Sequence, residues 1–371
     1  MTALPHVSLD DFNARAAAFL ALHRETPSER FASNLHTMVD SVSAGHACLP
    51  ATVNHAETGN AWVCSPYTTY CSYTIEEVTR LGHPLLTGPL NALARCVGTL
   101  LQRADIDRAV AINNWLVSTN GYPCLRDVDI GQAIDEARSR WPDHAIWFRS
   151  LNPVHHADWL RALTDRGATL LPSRQVYLFE DIANLARQRT DLKRDFALLR
   201  NEASLTCERI ENNDDDFARA EALYADLYVH KYSRLNPQYR HTLIKAWSQT
   251  GLLQLFGLRD VEGVLQGIVG LFRFGNLITS PIVGYNTSLP QKVGLYRRLA
   301  ACVLREAAEC GSLVNLSAGV AHFKRQRGGQ PAIEYSAVLA RHLPSHRRRA
   351  IQALGLLTRT IGIPIMQAFK L

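Results

Sequence analysis

The stretch that decides the fold runs from Leu252 to Tyr296, LLQLFGLRDVEGVLQGIVGLFRFGNLITSPIVGYNTSLPQKVGLY. Apolar residues dominate three short runs, 252–258, 264–274 and 277–285, with Gly263 and Gly275-Asn276 at the turns between them. Short apolar runs separated by glycine-containing turns read as three consecutive antiparallel strands. At Pro290 the pattern changes. Proline suits the first turn of a helix, and helical spacing then holds to Glu309.

Working outward, residues 204–210 (SLTCERI) read as a strand, and 217–231 as an amphipathic helix with Asp214, Asp215 and Asp216 at its positive end. A second helix is expected at 237–250. Downstream come a short apolar strand at 313–317, a helix at 320–327, a strand at 333–339 and a basic helix at 345–360. Residues 184–201 are polar and helical in pattern, a connecting helix that divides the chain into 1–190 and 191–371. Two domains suit this length. In the first part Ser8, followed by Asp10 and Asp11, is expected to cap a helix to about His23. Strands are expected at 47–53, 60–64, 108–112, 145–149 and 174–179, and helices at 90–102, 130–141 and 156–167. Strands and helices alternate in both parts, which predicts an α/β (α+β) protein with a mixed sheet. Each part also has a helix followed by a short buried strand, 90–112 and 290–316, the pattern of a degenerate duplication.

The chain has 371 residues, 47% hydrophobic and 20% charged, a globular balance. No run approaches the ~18 apolar residues of a membrane span. Met1–Leu9 has no basic stretch followed by an apolar core, the pattern of an export signal. The eight cysteines are scattered without CxxC spacing and read as reduced thiols, so a cytoplasmic protein is expected. His155-His156 has no cysteine or carboxylate at ligand spacing, and no metal is expected. No GxSxG, HExxH, Walker or GxGxxG element supports a hydrolase, kinase or dehydrogenase. A net charge of +6 suits a partner carrying phosphates, coenzyme A or tRNA, rather than DNA. Basic residues cluster at Lys324, Arg325 and Arg327 and again at Arg341, His342 and His346 to Arg349.

Chemistry concentrates in a few places. Gln291-Lys292-Val293-Gly294-Leu295-Tyr296 leads from a strand into a helix, where free N–H groups and the helix dipole bind phosphate. A buried strand ends at Ser317, and Ala318-Gly319 is small enough for a substrate to approach the backbone. Phe323-Lys324-Arg325-Gln326-Arg327-Gly328-Gly329 follows as an exposed basic turn. Tyr228, Lys231, Tyr232 and Arg234 end one helix, and Tyr285-Asn286 ends the third strand. An amide-rich aromatic loop, Asn113 to Pro123, follows the strand at 108–112.

Gln291-x-x-Gly294 resembles the Q/R-x-x-G-x-G/A pyrophosphate signature of the GCN5-related N-acetyltransferases (GNAT), with Tyr296 where that family has a small residue. The Phe323-Lys324…Gly328-Gly329 element resembles that of FemAB-type aminoacyl transferases and of acyltransferases named for CelD. The resemblance covers about 204–340, and implies that 1–190 is a degenerate first copy of a tandem GNAT-like fold. It implies an N-acyltransferase in which the amine of a small acceptor attacks an acyl-CoA directly, with no tightly bound cofactor. Gln291, Lys292, Val293, Gly294 and Tyr296 would hold the donor's pyrophosphate. Lys324 would stabilise the developing oxyanion, beside Ser317, with Tyr285 as acid or orienting hydroxyl. Tyr228, Tyr232, Arg234, Asn286 and Phe323 would shape an acceptor site between the halves. Glu208 and Glu334 are the candidate bases. Lys324, the arginine cluster at 347–349 and the tandem layout also admit an aminoacyl-tRNA donor. Tyr296 admits a binding protein without activity.

Overall fold

A computed structural model describes residues 5–80 and 82–369; the first four residues of the Met1–Leu9 stretch lie outside them. The strands are β1 (Met38–Ala44), β2 (Ala47–His55), β3 (Arg108–Ile112), β4 (Ala145–Leu151), β5 (Thr169–Phe179), β6 (Leu205–Ile210), β7 (Leu253–Asp260), β8 (Leu265–Phe274), β9 (Leu277–Tyr285), β10 (Leu313–Asn315) and β11 (Gln330–Leu339). They form one eleven-stranded mixed sheet, ordered β1-β2-β3-β4-β11-β5-β10-β9-β8-β7-β6.

The C-terminal half follows its expected order. β6 to β9 are antiparallel neighbours, and β9 pairs parallel with β10 through the helix Leu295–Glu309. The N-terminal half repeats this plan. β1, β2 and β3 are antiparallel, and β3 pairs parallel with β4 through the helix Ile130–Arg140. The counterpart of 290–316 is therefore 130–151, one helix later than the expected 90–112. The final strand of each half crosses over: β11 lies between β4 and β5, and β5 lies between β11 and β10. The chain is thus two GNAT-like halves in tandem whose last strands are exchanged within one sheet.

Local chemistry explains where the expected boundaries hold and where they shift. Ser8 Oγ accepts from the Asp11 N–H (3.2 Å) and starts the helix Leu9–Glu25. The expected strand at 60–64 is absent. Asn60 fixes this segment in turns, its Oδ1 accepting from His36 N–H (2.6 Å) and its Nδ2 donating to His36 O (2.9 Å). The strand lies instead at Met38–Ala44, whose polar alternation suits an edge position. The connecting helix breaks at Arg189 into Ile182–Gln188 and Thr190–Arg200. Buried Asp195 in its second part pairs with Arg297 and Arg327.

The basic helix Ser345–Leu357 corrects part of the arginine cluster. Arg347 is buried, and its guanidinium donates to the carbonyls of Ala104 (2.9 Å), Asp143 (2.6 Å), Asp105 (2.9 Å) and Arg108 (3.2 Å). It is a clasp between segments and not a free phosphate ligand. Arg347→Ala should destabilise the fold by about 3 kcal/mol, since buried carbonyls lose a charged donor. Arg348→Ala, half-exposed next door, should change stability by less than about 0.5 kcal/mol. Urea unfolding of both variants checks this contrast.

Candidate active site

The site begins where two parallel strands part. β9 and β10 pair from Leu277–Leu313 to Thr279–Asn315 and no further. The chain after β10 turns to β5 instead, with Leu316 N–H to Tyr177 O at 3.0 Å and Tyr177 N–H to Ser317 O at 3.2 Å. β9 runs on to Tyr285, leaving a wedge with an unpaired backbone edge. The wedge opens onto a cavity of about 980 Å³. One wall is β9, with Ser280, Pro281, Val283 and Tyr285; the other is 316–320.

The 316–320 wall is strained. Ser317 and Val320 have positive φ (58° and 51°), which is costly for residues with a side chain. Gly319 (φ 80°) has open space where a Cβ would sit. The turn is held from behind by Lys324. Its ammonium donates to the carbonyls of Leu316 (2.7 Å), Ser317 (3.2 Å) and Ala318 (2.7 Å). Lys324 is 3% exposed, and burial, helped by Arg174, lowers its pKa to about 7. The expected exposed basic turn is thus a packed element. Arg327 is also buried, stacked on Phe323 and paired with Asp195. All three Lys324 donors face carbonyls, and its side chain is not part of the cavity wall. In this arrangement it positions Ser317 to Gly319 instead of meeting an acyl oxygen.

The helix Leu295–Glu309 starts at the mouth of the wedge. A single 3-10 turn, Gln291–Val293, leads into Gly294 at φ 72°. The positive φ favours glycine, and a Cβ there would also sit 2.9 Å from Leu198 Cδ2, a side-chain end that would have to move. The first intrahelical bond is Arg298 N–H to Gly294 O (2.9 Å). The N–H groups of Leu295, Tyr296 and Arg297 therefore come before the helical ladder. Gln291, Gly294 and Tyr296 line the cavity, whereas Lys292 and Val293 do not. The Tyr296 ring turns inward against Tyr285 (6.3 Å) and Phe323 (4.8 Å).

The polar floor comes from the exchanged strands β5 and β11 and from β4 beside them. Arg174 on β5 donates to Glu334 Oε1 on β11 (2.7 Å), Ser317 Oγ (2.7 Å), Thr119 Oγ1 (3.1 Å) and the Ser118 carbonyl. Arg149 on β4 donates to Asn114 Oδ1 (2.9 Å) and Val63 O (2.5 Å). The Asn113–Pro123 loop thus serves as a holder for both arginines. Glu334 is buried, lines the cavity, and its Oε2 has no hydrogen-bond partner among the described residues. A buried carboxylate oxygen without a donor is an acceptor still to be satisfied. Two guanidiniums against one carboxylate leave the floor cationic.

Other expected site residues divide. Tyr228, Tyr232, Tyr285, Asn286, Ser317 and Phe323 line the cavity. The Asn286 amide is already engaged, donating to Gln266 Oε1 (2.8 Å) and accepting from Ser288. Arg234 is exposed and outside the cavity. Glu208 pairs with Arg259 across β6 and β7, also outside it. Among the described residues three segments are π-helical, Thr68–Ser72, Ala225–Tyr232 and Thr358–Gly362, and each contributes residues to the cavity lining. Such bulges often re-aim side chains at functional sites. Arg149 and Arg174 escaped the sequence reading. Their signal was a lone arginine inside an apolar strand, in AIWFRSL and LLPSRQVYLF.

No family model and no curated protein matches the chain. Solved structures similar to it include a tandem GNAT protein from the clavulanic acid biosynthesis pathway. It is 12% identical with a TM-score of 0.41, over 92% of this chain and 98% of that one. The L-PGS of Bacillus licheniformis is 12% identical with a TM-score of 0.44, over 67% of this chain and 82% of that one. FemX is 10% identical with a TM-score of 0.45, over 61% and 79%. The tandem GNAT-like fold stated above stands on the strand order itself.

Proposed function

We propose that the protein is an N-acyltransferase that moves an acyl group from an acyl-CoA to the amine of a small acceptor. The observation that carries this reading is one continuous cavity. It joins the open helix start at Gly294, the β9–β10 wedge and Glu334, whose Oε2 is buried without a hydrogen-bond partner among the described residues. The donor's pyrophosphate sits on the N–H groups after Gly294. Its amide-bearing arm lies along the unpaired edge of β9 and brings the thioester to Ser317–Gly319. The acceptor ammonium meets Glu334 Oε2 and gives it a proton. The neutral nitrogen then bonds to the carbonyl carbon, the C–S bond breaks, and the leaving thiolate takes up the proton that the nitrogen sheds as the amide forms. The cationic floor stabilises the oxyanion in between.

An aminoacyl-tRNA donor remains the second chemistry this cavity suits, but Arg347 is not available to a phosphate. The test is calorimetry with CoA and acetyl-CoA on the wild type and Gln291→Glu. A carboxylate at a helix start favours the fold and repels a pyrophosphate. Affinity for CoA should fall at least about tenfold, equivalent to about 1.4 kcal/mol, with an unchanged melting temperature. CoA binding indifferent to this change, or absent from the wild type, overturns the CoA donor.

A further inference from the structure

The same cavity extends beyond anything a short acyl group needs. Past the polar floor it runs between two helical walls, over Ala109 and Ala111 of β3 and Trp147 of β4. One wall is the helix Pro84–Arg103, which presents Leu90, Leu93, Ala94 and Val97. The other is the C-terminal helical run, which presents Leu354, Leu357, Ile361, Ile365 and Met366. The first set has the i, i+3, i+4, i+7 spacing of a core-facing stripe. Yet Leu90, Leu93, Val97, Leu357, Ile361 and Ile365 are only half-buried. The two walls touch where the helix Ser345–Leu357 meets the helix Pro84–Arg103, and beyond that contact these apolar side chains line the cavity without being fully buried. Closing an apolar void of this size would normally stabilise a protein, so an open one suits a ligand that fills it.

From these observations we infer that this arm holds the unbranched aliphatic chain of a long-chain acyl donor. The inference deepens the proposed acyl-CoA reading and rests on it. Continuity argues for the donor, because the arm opens from the same floor to which the wedge delivers the thioester. Length argues for a fatty chain. From Leu354 to Ile365 a helix rises about 16 Å, roughly half the ~30 Å hydrocarbon core of a bilayer and so about one membrane fatty chain. Chemistry argues for hydrocarbon, since the stripe residues of both walls are apolar and the hydroxyl of Thr358 beside them already donates to the Leu354 carbonyl (2.8 Å). The shared chemistry, a single aliphatic chain, can also arrive on the acceptor, and the test separates the two sources.

Binding to the intact chain is measured by calorimetry for acetyl-CoA, octanoyl-CoA, dodecanoyl-CoA, dodecanoate and dodecylamine. Leu93→Trp and Leu357→Trp narrow the arm from opposite walls, so a folding defect in one leaves the other informative. Affinity should rise about fourfold per methylene from acetyl-CoA upward until the arm is filled. Both tryptophan variants should lose that gain while binding acetyl-CoA as the wild type does. If acetyl-CoA binds and lengthening adds nothing, the chain inference is overturned and the CoA reading survives. If no thioester binds but dodecanoate does, sensitive to both variants, the arm is a chain site and the CoA reading falls. A chain-length gain confined to dodecylamine overturns the donor assignment.

Discussion

Replacing Glu334 with Gln should lower turnover by about 100- to 1,000-fold, the usual scale for removing a positioned general base. The variant keeps the shape of the site. Its amide oxygen still accepts from Arg174 Nε, a contact of 2.7 Å in the wild type. What it loses is the second oxygen, which is buried without a partner among the described residues. An –NH2 group there donates where the acceptor ammonium needs an acceptor, so both proton removal and orientation fail. Steady-state kinetics with a long-chain acyl-CoA checks the magnitude. A second reading comes from the acceptor. A hydrazide, neutral at pH 7, needs no proton removed before attack and should lose far less than an alkyl amine. Equal losses for both acceptors would reduce Glu334 to a partner that fixes Arg174. Full activity would remove it from the site, and absence of activity in the wild type with every acceptor would favour a binding protein.

The C-terminal half was legible because its signals are local. Alternation, a glycine turn and a proline at a helix start each fix a few residues without reference to the rest of the chain. The exchange of β5 and β11 has no such signal. β11 pairs with β4 and β5, more than 150 residues away in the sequence, and nothing in either strand names its neighbour. The polar floor depends on that exchange, since Arg174 lies on β5 and Glu334 on β11. Glu334 was therefore visible only as one of two carboxylates in strands, and Glu208 looked equally suitable. Position in the sheet separates them, one at the cavity and one beside Arg259 near the sheet edge. The phosphate turn was legible at Gln291 and Gly294, where a motif of a few residues is also the whole structure. Tyr296 looked like a defect in that motif. In three dimensions its ring turns away into the wall beside Phe323, and its backbone N–H stays at the helix start.

Lys324 illustrates what charge alone conceals. In sequence it is a cation beside glycines, and a solvated turn or an oxyanion donor are the natural readings. Its surroundings are three carbonyls of a strained turn. Lys324→Met should therefore leave those buried carbonyls short of donors and destabilise the fold by about 3 kcal/mol. Turnover should fall more than tenfold as Ser317 to Gly319 lose their position, while CoA, bound at the helix start, keeps its affinity. A loss of 100-fold or more with unchanged stability would instead return Lys324 to the acyl oxygen. The pH dependence supplies an independent sign. Burial lowers the lysine from 10.5 to about 7. Between those values the folded chain holds fewer protons than the unfolded chain, so this residue's contribution to stability rises with pH across the window and is smallest below pH 7. The neutral amine still has two N–H groups, enough for the two carbonyls at 2.7 Å. The melting temperature of the wild type relative to Lys324→Met should thus increase from pH 7 to pH 9. A difference independent of pH would mean that the ammonium keeps its proton throughout, held by the carbonyl dipoles against the effect of burial.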